Sequence, residues 1–140
     1  MIARAMGPAR RGDVRRRVGL VDPHPVMRRG LRAILVAEPD LEVVGEADGL
    51  DDAVELVRRC EPAILVAEAS GAGGHDAVAI VRRLRTLRPA LGLLLFSAAG
   101  GEGPAERCLR AGADGVLGKH EPEHRVLEAI RTVLAGGSVV

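Results

Sequence analysis

Aromatic side chains are almost absent: the 140 residues contain no tryptophan, no tyrosine and one phenylalanine. That argues against surfaces that bind nucleic acid by stacking bases on aromatic planes. Lysine is nearly as scarce, since nineteen of the twenty basic residues are arginine and only Lys119 is lysine. Against so strong a bias, a retained lysine marks a position to follow. Cysteine occurs twice, as Cys60 and Cys108. Two lone thiols suit small core residues in a reducing compartment rather than a disulfide framework. No apolar run approaches the ~18 residues of a membrane span, and the N-terminal stretch lacks the apolar segment of a secretory signal. No membrane partner is expected, and the cytoplasm is the expected location.

The chain does have enough apolar material for a real core. Apolar residues make up 47% and charged residues 28%, which excludes disorder of the whole. At 14.7 kDa it is the size of one domain. The net charge of +1 conceals an asymmetry. Residues 1–17 hold six arginines and one acid, which leaves 14 basic and 18 acidic residues in the rest. Residues 1–17 therefore read as a basic arm, expected to be disordered. Residues 18–140 read as one mildly acidic folded domain.

From Val18 onward, short apolar runs alternate with stretches of helical periodicity. The runs are 18–22, 41–47, 63–67, 91–97 and 115–118. The third and fourth are continuously apolar, as strands covered on both faces of a parallel sheet are. Between the runs, helix-spaced sets appear: Met27/Leu31/Ile34/Leu35, Ala53/Leu56/Val57/Cys60, Ala77/Ile80/Val81/Leu84/Leu87, Ala105/Cys108/Leu109 and Val126/Leu127/Ile130/Val133/Leu134. Pro25, Pro104 and Pro122 stand where first helical turns begin, and Asp76 is placed to cap the third helix. Gly112 follows the fourth helix and Gly136–Gly137 end the fifth. Five β–α units with short connections predict an α/β fold, a doubly wound five-stranded parallel sheet flanked by five helices. Strand order 2-1-3-4-5 is the common solution, with the functional site at the carboxyl ends of the strands.

That rule selects a small set of polar residues. Asp22-Pro23-His24 follows the first strand, Glu68 the third, Ser97 closes the fourth and Lys119 ends the fifth. Two carboxylates, a hydroxyl and an ammonium converge on one rim. The segment VDPHPVMRRGLRAILVAEPDLEVVGEADG, followed by EPAILVAE, LLLFSA, RAGADGVLGK and LEAIRTVLAGGSVV, resembles a response-regulator receiver domain, a fold of the flavodoxin and CheY type, of the NarL/FixJ kind that usually carries a LuxR-type DNA-binding domain. The resemblance covers about residues 18–140. It implies an acidic pair after strand one, a phosphoacceptor Asp after strand three, a Ser or Thr after strand four, a Lys after strand five, and Mg²⁺ held by the carboxylates.

The match is incomplete at those positions. Asp22 matches the first acid of the pair, but Pro23 stands in place of the second, and Glu68 in place of the phosphoacceptor Asp. Ser97 and Lys119 match. Val116 occupies the position where many members carry an aromatic that switches rotamer. Mg²⁺ wants near-octahedral charged oxygen ligands, and Pro23 offers no side-chain oxygen, so Mg²⁺ binding is expected to be weak or absent and no cofactor is expected. A Glu carboxylate stands roughly 1.5 Å further out than an Asp carboxylate. It misplaces the nucleophile for in-line phosphoryl transfer and brings its charge toward Ser97 and Lys119. A pseudo-receiver is expected, with a pocket either preset by a Glu68–Lys119 pair or inert in a domain kept for dimerisation.

Other signals carry less. His120-Glu121-Pro122-Glu123-His124 spells the H-E-x-x-H pattern of zinc metalloproteases, which works only with both His on one helical face. With Pro122 as the first residue of the fifth helix, His120 falls before it. Gly71-Ala72-Gly73-Gly74, with His75 beside it, and Gly100-Gly101-Glu102-Gly103 read as flexible loops and not as phosphate cradles. The expected function is a regulatory and dimerisation domain in transcription control, independent of phosphorylation, and not an enzyme. A homodimer is expected on the first and fifth helices, with Arg28, Arg32, Glu128 and Arg131 supplying charges across a two-fold. DNA is expected to be contacted only through a C-terminal domain outside this sequence, which stops where relatives begin that linker. An alternative is a small-molecule sensor, with its ligand between the loops after strands three and four.

Overall fold

Continuous apolar runs become central strands because both of their faces are covered. The computed structural model describes residues 15–69, 77–97 and 104–139. Its elements are β1 (Arg16–Val21), α1 (Pro25–Val36), β2 (Leu41–Ala47), a 3₁₀ turn (Leu50–Asp52) running into α2 (Ala53–Cys60), β3 (Ile64–Glu68), α3 (Ala77–Leu87), β4 (Gly92–Ser97), α4 (Pro104–Ala111), β5 (Gly115–Gly118) and α5 (Glu123–Leu134). The strands pair in parallel in the order β2-β1-β3-β4-β5, the doubly wound topology expected. Every residue of β3 and β4 is buried. Their side chains alternate between two core layers. Leu65, Ala67, Leu93 and Leu95 face α2, α3 and Cys108 of α4. Ile64, Val66, Leu94 and Phe96 face Leu31 and Leu35 of α1 and Val126, Ile130 and Val133 of α5.

The punctuation acts largely where the sequence places it. Pro25 opens α1, whose N-cap His24 has extended backbone. Gly112 sits after α4 at φ +124°, a region open to glycine and strained for other residues. Arg85 seals that turn: its guanidinium donates to the carbonyls of Gly112 and Leu91, at 2.6 and 2.5 Å, and to Asp114 at 3.0 Å. Cys60 and Cys108 are both buried, and burial pushes the Cys60 thiol above its ordinary value.

Several boundaries differ from the sequence reading: β3 runs Ile64–Glu68 and β4 starts at Gly92, each one residue along, and two further differences change what the chain does locally. β1 begins at Arg16 and not Val18, so the folded domain starts earlier than the arm boundary at 17. The Arg16 N–H donates to the Asp40 carbonyl at 2.8 Å, and Arg17 Nη2 donates to the Cys60 carbonyl at 2.5 Å, closing the C-terminus of α2. Residues 1–14 lie outside the described residues, and with them the disorder expected of the arm; so does Asp76. Pro122 is the N-cap of α5 and not its first residue. Its ψ of 158° is extended, which leaves its carbonyl to accept from the N–H groups of Arg125 and Val126.

Helix α5 is tied to the edge of the sheet by Arg131, which donates to Glu38 at 2.5 Å and to both oxygens of Asp40 at 2.8 and 3.0 Å. The guanidinium's hydrogen bonds hold the Asp40 carboxyl below its ordinary value. A carboxyl depressed on folding stabilises the native state above its unfolded pKa and loses that contribution as pH falls through the folded value. Arg131→Met is therefore expected to lower stability at neutral pH, with the gap to wild type closing as pH drops below about 4. Urea denaturation across that range measures it; a gap independent of pH contradicts it.

Candidate functional site

Parallel register brings the carboxyl ends of the strands to one level. Val21 pairs with Ala67, Glu68 with Phe96 and Ser97 with Gly118, so the residues that end these strands share a rim. Asp22, Glu68 and Ser97 are the buried polar residues of the described chain, at 2%, 3% and 8% exposure. Lys119 closes over them. Its Nζ is in direct contact with Glu68 Oε2 and lies 3.9 Å from Asp22 Oδ2. Its backbone N–H donates to the Ser97 carbonyl at 3.3 Å. Asp22, Glu68 and Lys119 are thus brought together by their side chains, while Ser97 joins the rim through β4.

His24, which the strand-end rule names beside Asp22 without giving it a role, belongs to the same cluster. Its backbone N–H donates to Asp22 Oδ1 at 2.8 Å. Its ring Nδ1 stands 2.9 Å from that oxygen and 3.1 Å from Lys119 Nζ. A protonated Nδ1 donates to Asp22, whereas a bare Nδ1 accepts from Lys119, so the tautomer decides which neighbour it serves. The signal was present in the sequence, two residues after Asp22 at a strand end. Pro23 is half-buried and adds no polar side-chain atom. Val116 lies half-buried on β5 against the α2–α3–α4 core layer.

The side chains expected to bridge a two-fold also have partners within the chain. Arg28 donates to the Asp22 carbonyl at 2.6 Å and reaches Asp48 at 3.2 Å. Arg32 pairs with Glu46 at 3.3 Å, Glu128 with Arg125 at 3.8 Å and Arg131 with Glu38 and Asp40.

The donor set defines what the rim can hold. Among the described residues, the one group of three or more His, Cys, Asp or Glu with ligand atoms within 4.8 Å is Asp22, His24 and Glu68. Mg²⁺ requires near-octahedral oxygen ligands. Here the third donor is an imidazole nitrogen, Pro23 supplies nothing, and the Lys119 ammonium lies against Glu68. These residues do not fit Mg²⁺. The HEPEH segment does not form a comparable group: His120 precedes α5, while His124 is its second residue. The glycine loops at 71–74 and 100–103, with His75, lie outside the described residues.

The chain matches the response regulator receiver domain family over residues 18–131. It is 34% identical over 123 residues to BvgA of Bordetella pertussis, named as a transcription regulator of virulence factors, covering 86% of this chain and 56% of that protein. It is 28% identical over 121 residues to the nitrate/nitrite response regulator NarL of Escherichia coli, with the same 86% and 56% coverage. A LuxR-family two-component response regulator from Aurantimonas sp. SI85-9A1 superposes with a TM-score of 0.82 at 30% identity, covering 90% of this chain and 89% of that one. The chain spans about half the length of the curated relatives it matches, and those relatives are regulators and not enzymes.

Breaking a buried ion pair on one side strands a charge, whereas replacing both sides with apolar groups does not. Lys119→Met alone is expected to cost about 3 kcal/mol or more, and Glu68→Leu with Lys119→Met together much less than the sum of the singles. Urea unfolding of the four proteins of the cycle measures this; additive losses contradict the pairing.

Proposed function

The chain belongs to the response regulator receiver domain family, and from that premise we propose that it is a phosphorylation-independent receiver, a regulatory and dimerisation domain of a transcription regulator. The observation that carries this reading is the contact between Lys119 and Glu68. In phosphorylated members, as the family resemblance implies, the lysine reads charge delivered to the acid after strand three. Here the Glu68 carboxylate supplies that charge permanently. It is buried, already paired and one methylene longer than Asp, which removes it as a nucleophile aligned with a phosphoryl donor. Asp22 is engaged by the backbone and ring of His24, and Pro23 leaves the acidic pair incomplete. Val116 has no ring to reorient. Each departure removes one part of a switch while the reader of its signal stays in place.

In this reading DNA is contacted through a C-terminal domain, as in regulators of the kind the relatives are named for. No described helix is long and apolar enough to cross a membrane. A second copy packs on α1 and α5, where Val26 is 84% exposed and an apolar groove of about 450 Å³ runs among Met27, Ile34 and Val126. Arg28, Arg32, Glu128 and Arg131 on these helices have partners within the chain, and the interface proposed is centred on these apolar groups. The alternative of a small-molecule sensor places its ligand among residues 70–76 and 98–103, outside the described residues.

Incubation with acetyl phosphate and Mg²⁺, followed by intact-protein mass measurement, tests the central point. No phosphoryl gain is expected; a gain that disappears in Glu68→Ala contradicts the reading. For the dimer, sedimentation should show an association that Val26→Glu weakens and salt does not; a monomer at all accessible concentrations contradicts it.

A further inference from the structure

The α2 and α3 helices lie on the face of the sheet opposite α1 and α5, and their solvent side carries four arginines and one acid, Glu55. Arg58 and Arg59 on α2 and Arg82 and Arg83 on α3 are all exposed. Among the described residues none of the four has an ion pair, in contrast to Arg28, Arg32, Arg85, Arg125 and Arg131, which all do. Arg58, Arg82 and Arg83 line a concavity of about 400 Å³ with Thr86 and Leu87. Setting these four arginines aside, residues 18–140 hold 10 basic and 18 acidic residues, so the positive charge here is segregated against the sign of its surroundings.

The chemistry of the patch narrows the partner. Guanidinium forks match phosphate oxygens bidentately. All four are exposed and none is backed by a buried polar group, so this is not a closed pocket for one small anion. Affinity must come from several solvated contacts made together, which a polymer of phosphates provides through counterion release. The patch has no aromatic to stack on bases, and the whole chain has no asparagine or glutamine to read adenine edges. An acidic peptide would need an apolar anchor at the centre of its interface, and Leu87 is half-buried. Contacts to a duplex backbone need neither.

We infer that the α2–α3 arginine face contacts the phosphate backbone of duplex DNA, positioning the domain on it without reading sequence. This departs from the expectation that DNA is met only through another domain. It rests on exposed charge and not on the state of the strand-end rim, so it stands or falls separately from phosphorylation independence.

The test is fluorescence anisotropy of a labelled random-sequence duplex with the whole chain over a salt series. It is run in a background of Arg4→Ala, Arg10→Ala and Arg11→Ala, so that the N-terminal arginines do not supply the signal. Binding is expected to weaken steeply with salt, and Arg58→Ala and Arg82→Ala should each reduce the log–log slope by about one. Reversing Arg58, Arg82 and Arg83 to Glu should weaken binding at low salt at least about tenfold, while thermal unfolding shows that the fold is kept. The inference is overturned by absence of salt-dependent binding in that background, by binding indifferent to these substitutions, or by tighter binding to phosphatidylglycerol vesicles or polyglutamate than to the duplex.

Discussion

Two carboxylates buried at the ends of adjacent strands need a cation, and the chain has one lysine to meet them. Removing an ion from water costs several kcal/mol even after the protein relaxes, and pairing recovers that cost only with close contact and further hydrogen bonds. Lys119 provides the contact to Glu68, and the backbone and ring of His24 provide hydrogen bonds to Asp22. The connectors after β1 and β5 and the end of β3 are joined by this cluster. Its geometry depends on the parallel register that sets Glu68, Ser97 and Gly118 at one level.

The same requirement for partners organises the charge elsewhere. Arg85 closes the α4–β5 turn, Arg131 fastens α5 to the residues before β2, and Arg17 caps the end of α2 through its carbonyls. Each of these guanidiniums is spent on the fold. Arg58 and Arg59 of α2 and Arg82 and Arg83 of α3 have no such ion pair among the described residues.

The fold was legible because its signals are local. Continuous apolar runs with helical periodicity between them give parallel strands and covering helices, and β2 and β5 begin and end where those runs do. The strand-end rule likewise led to Asp22, Glu68 and Lys119 before any contact was known. What escaped depends on residues far apart in the chain. Arg16 and Arg17 extend β1 because Asp40 and Cys60 accept their hydrogen bonds, and no pattern within residues 1–17 announces that. The contact of His24 with Lys119 spans 95 positions, and Arg131 finds Asp40 across 91. A single basic residue reads as a solvated or intermolecular charge until the topology supplies its neighbour. Net charge failed for a related reason: a mildly acidic total says nothing of four arginines gathered on two helices.

The central claim is that Lys119 and Glu68 already occupy the arrangement that phosphorylation would otherwise create. Amide NMR spectra of the chain, recorded before and after addition of Mg²⁺ and beryllofluoride, test it most directly. The account predicts spectra that remain superimposable through β4, α4 and β5. Saturable shifts spreading from the strand-end rim through those elements would contradict it.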